Sequence, residues 1–110
     1  MNYNNYLGKL NFNKFTPIQT ESFKYFNNKK NFVGVAPTGT GKTHAYLIPL
    51  IENINVNNNY LQSIIILPTN ELISQVRQML NPIIKDGLKV KAYDANMNRK
   101  RELTWLKNNQ

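Results

Sequence analysis

The sequence predicts an α/β fold, a parallel sheet with helices on its flanks. Two β-branched runs, "FVGVA" at Phe32–Ala36 and "SIIIL" at Ser63–Leu67, suit buried strands. A third run, "LKVKAY" at Leu88–Tyr93, alternates as a strand does. Stretches of helical periodicity separate them, and a glycine-containing loop, "APTGTGKT" at Ala36–Thr43, follows the first run. Strand, helix, strand, helix, strand implies crossover connections and therefore parallel pairing.

Each element has its own warrant. Tyr3, Tyr6, Leu7 and Leu10 are spaced as on a helix. In "TPIQTESFKYF", Thr16 suits an N-cap, Pro17 the first helical position and Gln19 the third. Ile18, Phe23 and Phe26 give that helix an apolar face, and "NKKN" ends it. A further helix is expected from about Lys42 to Ile54, followed by a loop at "NVNNNY". Pro68 and Thr69 open the next helix, whose apolar residues Leu72, Val76, Met79, Leu80 and Ile83 recur at helical spacing. Pro82 should kink or end it. Asp86–Gly87 makes a turn before the third run. The last segment reads as a helix, with Leu103 and Leu106 on one side and Arg99, Lys100 and Arg101 near its start.

Composition bounds the function. At 110 residues the chain suits one small domain. Its net charge of +8 favours a polyanionic partner such as nucleic acid, although a merely basic surface is an equal reading. With no Cys and one His, thiolate chemistry, disulfides and His clusters are excluded. No apolar run approaches the roughly 18 residues of a membrane span. The N-terminal stretch lacks the apolar core of a signal peptide, so the cytoplasm is the expected location.

The loop carries the chemistry. The phosphate-binding pattern is Gly, four residues, then Gly-Lys-Ser/Thr. Here Gly41, Lys42 and Thr43 close it, and Ala36 stands where the first glycine belongs. Gly39 and Gly41 permit the backbone angles that turn successive N–H groups toward an anion. The helix that follows adds its free N–H groups and positive dipole end. Lys42 should reach the outer phosphates, and the Thr43 hydroxyl should meet Mg²⁺. His44 reads as an ordinary helix residue after the loop.

Two further stretches extend the reading. "NFNKFTPIQ" at Asn11–Gln19 precedes the loop, and "LPTNEL" at Leu67–Leu72 ends the second run. With "APTGTGKT" and "LIPLI", in this order and spacing, they resemble the DEAD-box family of superfamily 2 RNA helicases over nearly the whole chain. The resemblance implies a partial RecA-like phosphate-loop domain, ATP and Mg²⁺ as cofactors, and single-stranded or short duplex RNA as partner. Taken alone, Gln19 is a capping partner of Thr16 and Phe12 a core aromatic. The resemblance implies that Gln19 reads the adenine edge and Phe12 packs on the base. The implied nucleotide set is Phe12, Thr16, Gln19, Thr38, Gly39, Thr40, Gly41, Lys42 and Thr43, with Lys42 and Thr43 catalytic and Thr43 also the Mg²⁺ ligand. Phe15 and Asn11 depart from the family's Pro and Gly in this stretch.

The resemblance also implies that Pro68, Thr69, Asn70 and Glu71 hold the RNA backbone. Asn70 stands where the family has Arg, so RNA should bind more weakly here and with less salt dependence. "AYDAN" at Tyr93–Asn96 departs from the family's turn and carries no role. The Arg99–Lys100–Arg101 cluster reads as a solvated face, with nucleic-acid contact as the alternative.

The family's Asp-Glu-Ala-Asp strand, its coupling Ser-Ala-Thr and a second domain with arginine fingers do not occur in these residues. Residues 1–110 therefore read as the incomplete N-terminal part of a helicase ATP-binding domain, with little ATP turnover of its own. The alternatives are another superfamily 2 translocase, which "FTPIQ" argues against, and a non-catalytic nucleotide- or RNA-binding module.

Overall fold

The computed structural model describes residues 3–94 and 99–108. In these the chain forms α1 (Asn5–Leu10), α2 (Pro17–Asn27), α3 (Lys42–Glu52), α4 (Asn70–Leu80), a 3-10 turn (Asn81–Ile83) and α5 (Arg99–Asn108). The α1 C-terminus closes on Asn11 in the left-handed region, φ 57°. Thr16 is extended before Pro17, as an N-cap must be, and starts α2. At Pro82 the α-helix gives way to the 3-10 turn, because proline offers no N–H and crowds the preceding turn. "AYDAN" lies partly outside the described residues, and so do the side chains of Arg99, Lys100 and Leu106.

The core is built from helices. Tyr6, Phe23, Leu47, Ile48, Ile51, Val76, Leu80 and Ile83 are buried together. The α3 sequence "LIPLI" is apolar on nearly every side, and Leu47, Ile48, Pro49 and Ile51 are all buried. α2 packs most extensively on α3. Two polar ties fasten the C-terminal end of α3. The Asn53 side-chain amide donates to the Pro49 carbonyl at 2.6 Å, and Lys85 Nζ donates to the Glu52 carbonyl at 3.1 Å. The second satisfies a carbonyl of the kind a helix C-terminus leaves without an intrahelical partner, and the first adds to the bond the Pro49 carbonyl already accepts from the Asn53 N–H.

The predicted parallel sheet of a RecA-like domain is not present: the described residues contain no β-strand. Residues 32–36, 63–67 and 88–93 carry no ladder of backbone hydrogen bonds. The second segment keeps a strand's two-residue period nonetheless. Ile65 and Leu67 pack against the core, while Ile64 and Ile66 are 71% and 89% exposed. In the first segment Val33 and Val35 both face outward. The physical reason is that β-branched residues favour extended backbone, whereas a sheet needs partners in register at strand spacing. Here the second and third segments line a groove of about 590 Å³ with α4, rather than pairing across it.

Candidate nucleotide site

The loop after residue 36 turns tightly. Thr40 Oγ1 donates to the Pro37 carbonyl at 2.6 Å, so that hydroxyl is used to close the turn. Gly39 and Gly41 have φ of 85° and 82°, angles that strain any side-chain-bearing residue. Gly41 is the N-cap of α3 and brings no capping side chain. The first helical bond runs from the Ala45 N–H to the Gly41 carbonyl at 3.1 Å. The N–H groups of Lys42, Thr43 and His44 are thus left uncapped, and no acidic residue lies in this turn. That is the arrangement an anion needs.

Lys42 is exposed and lines a cavity of about 500 Å³ with residues of α2 and Phe32. No carboxylate forms an ion pair with it among the described residues. Thr43 sits one helical turn before Tyr46. Burial raises the Tyr46 phenol pKa, and hydrogen bonding with Thr43 opposes that shift. Thr38 and Gly39 are exposed, and a Cβ built on Gly39 meets nothing within 4 Å. The loop therefore fits a phosphate group on its own geometry: open space over Gly39, uncapped amides behind it and a lysine at the rim.

Gln19 ties the upstream stretch to this loop. It is 1% exposed. Its Oε1 accepts from the Thr16 N–H at 2.9 Å, and its Nε2 donates to the Gly41 carbonyl at 3.1 Å. Thr16 and Gln19 are arranged as a capping box, yet Thr16 Oγ1 is buried without a hydrogen-bond partner. The contact with the loop is close: a Cβ on Gly41 would lie 2.3 Å from Gln19 Nε2. One amide hydrogen and one lone pair of the carboxamide remain beyond these two bonds. Phe12, half-buried, meets the His44 ring edge-to-face with centroids 5.1 Å apart. Burial holds the His44 imidazole below its ordinary pKa.

The structure thus brings together Phe12, Thr16, Gln19 and the loop from Thr38 to Thr43. It places Pro68, Thr69, Asn70 and Glu71 at a different helix start. Thr69 caps α4, its side chain accepting from the Leu72 N–H at 3.1 Å, and all four residues are exposed. No hydrogen bond between the described residues joins that turn to the loop. The residue that sequence reasoning passed over is His44. Its partner lies 32 positions upstream, and local periodicity carries no signal for such a pair.

Residues 16–110 match the family described as DEAD/DEAH box helicase. The chain belongs to that family. Helicase relatives share its sequence from Bacteria to fungi. The chain is 41% identical over 80 residues to the DEAD-box ATP-dependent RNA helicase CshA of Bacillus subtilis, covering 73% of this chain and 16% of that protein. It is 40% identical over 75 residues to CshA of Geobacillus kaustophilus, covering 68% of this chain and 16% of that one. It is 47% identical over 78 residues to the ATP-dependent RNA helicase CHR1 of Candida albicans, covering 67% of this chain and 13% of that protein. The chain therefore spans about a sixth or less of the length of these relatives. No solved structure matches it. Among the described residues no helix is long and apolar enough to cross a membrane, and no cluster of three His, Cys, Asp or Glu could hold a metal ion by itself.

Proposed function

We propose that residues 1–110 are the ATP-binding portion of a cytoplasmic DEAD-box RNA helicase whose whole protein couples ATP hydrolysis to RNA binding and local duplex unwinding. One observation carries this reading: the buried Gln19 carboxamide bonds the Gly41 carbonyl, so the adenine-type stretch and the phosphate loop form one site. The loop amides and Lys42 hold the phosphates. Thr43 offers its hydroxyl to Mg²⁺, which when bound neutralises phosphate charge. Phe12 packs on the base, and the remaining donor and acceptor of Gln19 match the adenine edge. Pro68, Thr69, Asn70 and Glu71 hold the RNA backbone at the start of α4, where exposed amides and a hydroxyl suit a phosphate. Asn70 supplies no positive charge there.

The test is nucleotide titration by calorimetry. Wild type should prefer ATP to GTP, and Gln19→Ala should narrow that preference. Equal affinity of the wild type for ATP and GTP would sink the adenine assignment.

A further inference from the structure

Two contacts, not one, tie the upstream stretch to the first turn of α3. The polar tie is Gln19 to Gly41. The aromatic tie is Phe12 to His44, with rings nearly perpendicular at 88°. Phe12 is also anchored through its backbone, its N–H donating to the Leu7 carbonyl at 2.9 Å beside the left-handed Asn11. The Phe12 backbone is therefore tied to α1, while its ring meets His44. A nucleotide with its base on Phe12 and its phosphates on Gly39–Thr43 touches both stretches at once. The orientation of the Phe12 ring then governs whether base and phosphates can be met together without reorganisation.

We infer that His44 is a positioning residue for the base side of the nucleotide site, holding the Phe12 ring in the orientation that receives the base. Edge-to-face geometry at this separation is the favourable one for two aromatic rings. The inference rests on the nucleotide reading above.

The experiment titrates the full chain with ATP and, separately, with inorganic tripolyphosphate, for wild type, His44→Ala and His44→Phe. His44→Ala should weaken ATP about two- to tenfold, the range of one aromatic pair, and leave tripolyphosphate unchanged. His44→Phe should recover most of the ATP affinity, since it restores a ring. Equal weakening of both ligands overturns the inference, because His44 then merely supports the helix start. Unchanged ATP affinity in His44→Ala also overturns it, and leaves the nucleotide reading intact. A wild type that binds neither ligand removes both. If His44→Ala fails to fold, His44→Gln against His44→Phe makes the same comparison: loss of ATP affinity in the first alone supports the inference, and parity overturns it.

Discussion

Gly39 and Gly41 share a left-handed backbone but not an environment. A methyl group at Gly39 points into open space, whereas one at Gly41 would collide with the Gln19 carboxamide. Gly39→Ala should therefore cost only the backbone penalty, about 1 kcal/mol. Gly41→Ala adds displacement of Gln19, which removes the acceptor of the Thr16 N–H and leaves the Gly41 carbonyl with the Ala45 N–H alone, a further ~1–3 kcal/mol. Chemical denaturation of the two variants should show Gly41→Ala clearly the less stable, and ATP titration should show it the weaker binder. Equal losses in both assays would mean that the Gln19 contact is not maintained. That Gly39 and Gly41 take a left-handed backbone was legible in "APTGTGKT". Which of them carries a side chain from 22 positions upstream was not, because that contact is made between two elements.

At the scale of elements, helices were legible because their signals are local. Thr16–Pro17 and Thr69 mark real starts, and Pro82 marks a real stop. Thr69→Ala should cost about 1 kcal/mol by removing the hydroxyl that accepts from Leu72, while Thr69→Ser should be close to neutral; urea melts read the difference. The α1–α3 junction gives a pH prediction. Tyr6 is buried and its hydroxyl donates to the Glu52 carboxylate. Burial first, and then this bond, raise the phenol above its ordinary value of 10.0. A group whose folded pKa is raised stabilises the fold below its unfolded pKa and loses that contribution as pH rises. Stability should hold up to about pH 10 and decline above it, and the decline should be shallower in Tyr6→Phe. Denaturant midpoints measured across that range check this; identical slopes would remove Tyr6 as the cause. The three β-branched segments show the opposite case. Their local preference for extended backbone was legible, but pairing depends on partners distant in sequence, and no ladder forms among the described residues.

Over the whole molecule the core and the exposed apolar surface are separated cleanly. Leu47 is fully buried, so Leu47→Ala should cost ~2–5 kcal/mol. Ile66 is 89% exposed on the outward side of its segment, so Ile66→Lys should change stability by no more than ~0.5 kcal/mol and should reduce aggregation, as light scattering would show. Loss of stability on that substitution would mean that Ile66 is covered in solution. The first turn of α3 has a lysine and a hydroxyl but no acid, and residues 1–110 carry no Asp-Glu-x-Asp run. ATP turnover by this chain should therefore stay at background with or without RNA, since charge neutralisation and water positioning supply most of the rate. RNA-stimulated phosphate release from a pure preparation would contradict that. By itself the sequence determined the helix starts, the glycine turn before α3 and membership of a helicase family, because these depend on residues within one turn or one short motif. Only the tertiary structure decided that Gln19 locks onto Gly41, that His44 faces Phe12, and that the β-branched segments lie against a helical core without pairing. Those outcomes depend on which distant surfaces meet, and local preference does not specify that.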